Sequence, residues 1–451
     1  MARQARTLSQ KRFHIVLLPG FAGFDALGQL EYYGRVTPLF YDLRAPNQVL
    51  HYFDNLPTAS VTTRASRLQS YLAKRIARGE ISDGDEVTLV GHSTGGLDIR
   101  RLLCDLHQLD QSKQVIAVDG GAKVKPRTII KLLRRVVFLS VPHWGTNIAD
   151  WVHSHDVWRL VLIENLRAAV EGSKWMFLDW IETSFAAGLA RITDADLARA
   201  AQDALSEANE YNGRLGPVRT ADAFEAASEL ALYLRQMASD FSAIDDLTSC
   251  PRVEDEHVSP AHFSVDEREE ELELADRIKF LSYETIGNRA RLFGSGEHLP
   301  MWEPTSPLGY LELIRDCVCR DKMDVVYRAC YRACAGGPFE EPPMTAEVTR
   351  RLDGAPHNKI ELWDNDGIVN TLSMFWPRGE NVLVAADHMD IVGHYKPLRA
   401  KSGEGRTYQT YDLLKSQSGF SERMFKDVWR EIFAFSLGRQ RHRRAHTAQA
   451  A

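Results

Sequence analysis

This chain of 451 residues has no long apolar run. Nothing in it approaches the roughly 18 apolar residues of a membrane helix. Met1 to Arg12 is polar and basic, and the first apolar run, Phe13 to Leu18, ends in Pro19-Gly20. It is too short for the hydrophobic stretch of a signal peptide. The expectation is a soluble, cytoplasmic protein with no stable membrane insertion. Cysteine is scarce, at six residues. Cys317, Cys319, Cys330 and Cys334 crowd together, but their spacing matches neither a usual zinc pattern nor a disulfide framework. They read as small buried hydrophobes on two helices, and Cys104 and Cys250 as core or loop residues. An excess of one charge is also missing. With 55 basic and 61 acidic residues the net charge is −6, which gives no reason to expect nucleic acid as a partner. No repeat appears, and the basic end, 439–451, reads as a solvated flexible tail.

What the chain has is apolar residues, 44% of the total, enough for a large core. Short apolar runs suggest strands at Phe13–Leu18, Val87–Val90, Val136–Ser140, Phe280–Glu284, Ile360–Trp363 and Val382–Val384. Amphipathic stretches such as Ala65–Ala77 and Glu422–Leu437 alternate with them. Apolar strands separated by helices indicate an α/β fold, a mostly parallel sheet with helices on both faces. Two long segments break the rhythm. The first carries bulky groups (Trp151, Trp158, Trp175, Trp180) and then Phe224, Leu230, Leu234 and Met237 on one helical face. Its acidic end, Glu254–Glu273, reads as loop. The expected organisation is a core over 10–146, a helical cap over 147–275, a core strand over 276–287, a second insertion over 288–356 and the rest of the core over 357–438.

The most informative stretch is Gly91-His92-Ser93-Thr94-Gly95. It joins the run Val87–Val90 to a helical pattern beginning at Gly96. A serine at such a strand–turn–helix apex is presented at the sheet edge, and the flanking glycines let the two backbones pass closely. A hydroxyl needs a base to become a nucleophile, and the base needs an orienting acid. The expected chain order is serine, acid, histidine. Asp364-Asn365-Asp366-Gly367 and Asp387-His388-Met389-Asp390 follow apolar runs in that order. Asp366 is the candidate acid, with Asp364 as runner-up, and His388 is the candidate base. An oxyanion needs two amide donors. Thr94, beside the serine, is one candidate. Phe21, in the glycine-bearing turn Pro19-Gly20-Phe21-Ala22-Gly23, is the other.

These blocks resemble the bacterial true lipases of the α/β-hydrolase superfamily. Val16–Gly23, Leu89–Gly96, Val141-Pro142-His143-Trp144-Gly145-Thr146, Asn365–Asn370 and Asp387–Asp390 carry the likeness in order and spacing. The resemblance implies an α/β-hydrolase fold; it covers about half the chain, and the two insertions do not visibly match the family. It also implies a triad of Ser93, Asp366 and His388, with the Phe21 and Thr94 amides as oxyanion donors. Pro19-Gly20 replaces the family's usual His-Gly, and the family is secreted whereas no leader is visible here. Family members often hold calcium through a carboxylate two residues past the histidine. Asp390 fits that position, but His394 and Tyr395 suit a hard cation poorly. Thr63 stands where a zinc-binding branch has aspartate. No metal and no cofactor are assigned. The implied partner is a small-molecule or lipid ester, with interfacial contact through the cap. A thioesterase, amidase or acyltransferase would use the same triad, and a non-catalytic binding module of the same fold stays open.

Overall fold

In the computed structural model the described residues are 11–23, 26–27, 30–154, 236, 240–249, 263, 265–293, 323–336, 347–352, 354–396 and 412–439. Most of the tryptophan-rich cap, the helical face from Phe224 to Met237, Cys250, Cys317, Cys319 and the basic tail past residue 439 lie outside them.

Seven parallel strands form the main sheet: β1 Phe13–Leu18, β2 Gln48–Tyr52, β3 Glu86–His92, β4 Leu133–Leu139, β5 Lys279–Ile286, β6 Arg350–Arg351 and β7 Glu380–Ala385. Their spatial order is β6-β7-β5-β4-β3-β1-β2. The helices used below are α1 Val36–Leu43, α2 Val61–Ala77, α3 Thr94–Gln111, α4 Pro126–Leu132, α5 Asn147–Ser154, α6 Val265–Ala275, α7 Met323–Gly336 and α8 Glu422–Ser436.

Continuous apolar runs become central strands because both faces are covered. Along β1, Val16 and Leu18 join Leu89, Val136 and Phe280 in one core with α2 and α3, while Ile15 and Leu17 join Val90, Val137, Leu281 and Val382 in the other. The period of two sends alternate residues to opposite cores. In α8, Phe425, Val428, Trp429, Ile432 and Phe433 fall at helical spacing on one buried stripe. Ser421 caps that helix, accepting from the Met424 amide. Among the described residues no helix is long and apolar enough to cross a membrane.

Three expectations need correction. Ile360–Trp363 forms no strand: Asp364 takes the Glu361 amide on its side chain at 2.9 Å, closing a turn that leaves Leu362 and Trp363 exposed. The strand before β7 is instead the two-residue β6, too short and too basic to signal itself. Gln48–Tyr52 is an edge strand that the sequence reading missed, since His51 and Gln48 interrupt its apolar pattern. The acidic stretch, read as loop to Glu273, contains α6. That helix docks on α3 because the charges are matched: Arg100 holds Glu271 through Nε at 2.9 Å and Nη2 at 3.0 Å, and Arg101 holds Glu267 at 2.7 Å.

Candidate active site

Ser93 sits between β3 and α3 at a positive φ of 53° with ψ −129°. A non-glycine residue there is strained by roughly 1–3 kcal/mol. The surroundings hold it in place. Its amide donates to Leu139 O on β4 at 2.9 Å. A Cβ on Gly91 would lie 2.6 Å from Gly95, and one on Gly95 would lie 2.6 Å from Leu18 O, so both positions demand glycine. Thr94 is the first residue of α3, and its amide is among the helix donors with no carbonyl four residues back.

The turn carrying Phe21 lies directly against the serine. A Cβ on Gly20 would meet Ser93 Cβ at 2.6 Å. Arg64, fully buried on α2, reaches into this turn, with Nη2 2.9 Å from Pro19 O and weaker contacts to Gly20 O and Pro57 O. Asp98 on α3 balances its charge at 2.9 Å and also accepts from Asn55 at 2.9 Å. Burial pushes the Asp98 carboxyl up to about 6, and the Arg64 guanidinium opposes that rise. The Phe21 ring packs edge-on against Phe241 at 5.5 Å, which places residues 240–249, at the far end of the first insertion, beside the site.

Asp366 and His388 meet. His388 Nδ1 lies 2.7 Å from Asp366 Oδ2, and the His388 amide also donates to Asp366 O at 3.2 Å. A carboxylate only accepts, so Nδ1 carries the proton and Nε2 keeps its lone pair for a substrate proton. Asp366 is fully buried, and its Oδ1 accepts from the Ile368 and Val369 amides at 3.0 and 2.9 Å. Asp364, the runner-up, is occupied by its own turn instead. The elbow and the histidine loop join through His92, the residue before the serine. Its Nε2 donates to His388 O at 2.9 Å, and its ring lies 4.6 Å from the His388 ring. His92 Nδ1 accepts from the Tyr32 hydroxyl at 2.6 Å, which in turn accepts from the Gly20 amide at 2.9 Å. Burial drives His92 well below the usual histidine range, so this bridge is neutral.

The histidine loop is stapled from below. Asp387 accepts from the Met389 and Asp390 amides and from Ser416, while Asp390 accepts from the Asp387 amide and Ser418. Burial lifts both carboxyls, Asp387 to about 7, and their proximity adds to the effect on Asp390. The residues do not fit a calcium ion. Amides and hydroxyls already donate to these carboxylates, His394 Nε2 donates to Tyr32 O at 2.9 Å, and Tyr395 carries the Arg35 guanidinium over its ring at 3.9 Å. Among the described residues, no group of three or more metal-ligating side chains forms. Cys330 and Cys334 lie on α7, and Cys334 packs against Asn370 of the acid loop at 3.2 Å.

Sequence reasoning singled out Ser93, Asp366 and His388, of which the structure brings Asp366 and His388 into contact, but it passed over Arg64, Asp98, Tyr32 and the bridging ring of His92. None of these has a local signature beyond His92's place in the elbow, because each acts through a partner far away in the chain.

The sequence matches the model described as the alpha/beta hydrolase family over residues 15–308, more than half of the chain. That span includes Ser93 and the Phe21 turn and stops before Asp366 and His388. Solved structures similar to it include EstA from Clostridium botulinum, at 16% identity over 95% of this chain and 88% of that one, with a TM-score of 0.39. Lipase 1 from Pelosinus fermentans is 14% identical over 94% and 99%, with a TM-score of 0.38. The metagenomic carboxyl esterase MGS0156 is 12% identical over 96% and 77%, with a TM-score of 0.37. No curated protein matches the sequence.

Proposed function

The chain belongs to the α/β hydrolase family, and from that footing we propose that it is a serine hydrolase that cleaves apolar carboxylic esters through an acyl-serine intermediate. The observation that carries this reading is the 2.7 Å contact between His388 Nδ1 and Asp366 Oδ2, on the loop that is bonded to the elbow of Ser93. His388 Nε2 takes the proton from Ser93 Oγ as that oxygen bonds to the ester carbonyl carbon. Asp366 holds the tautomer and stabilises the imidazolium. The Phe21 and Thr94 amides donate to the oxyanion; one such donor lowers the barrier by about 3–4 kcal/mol. The intermediate collapses, the alkoxide leaves with the proton from His388, and water repeats the sequence to release the acid. The tryptophans in the sequence of the first insertion, Trp151, Trp158, Trp175 and Trp180, favour a lipid-like acyl group and contact with a lipid interface.

A fluorophosphonate probe tests the nucleophile. Wild type is expected to be labelled and Ser93→Ala not; a wild type that stays unlabelled sinks the reading in favour of a binding module. Rates on p-nitrophenyl esters of rising chain length give the acyl preference, and faster turnover of matched thioesters or amides would replace the ester assignment. Asp366→Asn should lose on the order of three to four powers of ten in kcat. Asp364→Asn should stay near wild type.

A further inference from the structure

We propose that Thr285, at the end of β5, is a positioning residue for the acid–histidine pair, acting through a two-hydroxyl relay that starts at Ser140. The proposal rests on the reading of Asp366 and His388 given above. Thr285 Oγ1 lies 2.6 Å from Asp366 Oδ2, the same oxygen that faces His388 Nδ1. Ser140 Oγ lies 2.7 Å from Thr285 Oγ1. Both hydroxyl residues and Asp366 are completely buried.

The directions of these bonds follow from valence. The carboxylate accepts only, so Thr285 spends its single proton on Asp366. Met374 Sδ, at 3.4 Å, is the poorer acceptor. Thr285 Oγ1 then offers lone pairs, so Ser140 must donate to it. Ser140 is held for this by a left-handed φ of 50° and by its amide on Tyr283 O at 2.9 Å. The relay therefore runs from the end of β4, across the end of β5, to the acid loop. With the Ile368 and Val369 amides on Oδ1, the carboxylate has four donors, and both oxygens are fixed. Charge-assisted bonds of this kind are about twice as strong as neutral ones, and more so away from water. Thr285 competes with His388 for one oxygen. It thereby sets both the orientation of the carboxylate and how strongly it draws the imidazole proton.

Among the described residues, the titratable groups around Asp366 and His388 include the Cys334 thiol, the Tyr327 phenol, the His92 ring and, next to His388 in the chain, the Asp387 carboxyl, which burial raises and which none of the variants below touches. Burial pushes the thiol and phenol up and His92 down, so the thiol, the phenol and the His92 ring are uncharged at neutral pH.

The test uses the full chain with Thr285→Val, which keeps the shape and removes the donor, Thr285→Ser, which keeps the donor, and Ser140→Ala. On an ester turned over in a Ser93-dependent manner, Thr285→Val should lose roughly tenfold in kcat, with KM nearly unchanged. The acid limb of its pH–rate profile should move to higher pH, because a carboxylate with one donor fewer draws the imidazole proton more strongly. Thr285→Ser should restore both, and Ser140→Ala should move the limb the same way by less. The low-field proton resonance of His388 Nδ1 reads the same relay without turnover. It should shift in Thr285→Val and return in Thr285→Ser. Wild-type kcat, limb and resonance in Thr285→Val would overturn the inference, as would a Thr285→Ser variant as impaired as the valine. If Thr285→Val fails to fold, an unmoved limb and resonance in Ser140→Ala overturn it instead. A wild type without Ser93-dependent turnover defeats the proposed function, while the resonance series still decides the relay.

Discussion

Glu284 is the side chain that its surroundings serve worst. It lies on β5 with no exposure, and neither carboxyl oxygen has a hydrogen-bond partner. Burial pushes its carboxyl up to about 8, with the nearby Ser282 hydroxyl opposing the rise. A carboxyl raised in the folded state stabilises fully below its unfolded value, 4.5, and that contribution drains away as pH climbs toward 8. Glu284→Gln, neutral at every pH, should therefore raise stability by about 2–4 kcal/mol at pH 8–9 and flatten the profile of melting temperature against pH. Equal slopes in the two proteins would refute this. The contrast with Ser93 explains what could be read residue by residue. Ser93 is announced by glycines that its own turn requires, and His388 by its place after an apolar run. Thr285 and Glu284 are ordinary residues inside one strand, and only the residues opposite them in space give them a role or a cost.

At the level of elements, apolar run length was the dependable signal: β1, β3, β4, β5 and β7 all carry it. Edges were not legible, because β2 is interrupted by Gln48 and His51, β6 is two arginines, and each needs to satisfy only one neighbour. Helix α6 failed for a different reason. Its sequence, Val265 to Ala275, has five glutamates and almost no amphipathic stripe. It is helical here because α3 supplies arginines, a tertiary effect invisible in the local pattern. The Arg100–Glu271 pair is 3% and 2% exposed at its side chains, and Arg100 also lies over Phe263 at 4.5 Å and Trp376 at 4.9 Å. Glu271→Ala would leave a buried guanidinium unpaired and should cost about 3–5 kcal/mol, read as a lower urea midpoint. Arg100→Met combined with Glu271→Leu should recover most of that loss. A single variant as stable as wild type would show that α6 docks without the pair.

Across the whole molecule, the sheet edge at β2 offers a point of acid sensitivity. His14 Nε2 faces Asp85 at 3.3 Å and its Nδ1 faces His51 Nε2 at 2.8 Å. The neutral rings share one proton along that contact, and charging both would set two N–H groups head to head. Burial, with Arg75 and Arg12 nearby, lowers His51 to about 3, and burial also lowers His14. A histidine depressed in the folded state contributes stability above 6.5 that is lost as pH falls toward 3. His51→Gln should remove about 2 kcal/mol of the destabilisation between pH 7 and pH 4, followed by thermal melts; an unchanged acid slope would count against it. The sheet's connectivity also bears on how the polypeptide is made. β1 to β4 come from its first third, but the outer partner of β4 is β5, whose residues are translated only after the entire first insertion. β7, in turn, waits for the second. Until Lys279–Ile286 leaves the ribosome, β4 is a rim of unmet peptide groups beside bare valine and leucine, a surface that other nascent chains can pair with. Shielding by chaperones would matter most in that interval, before the serine's turn has a histidine loop to lean on.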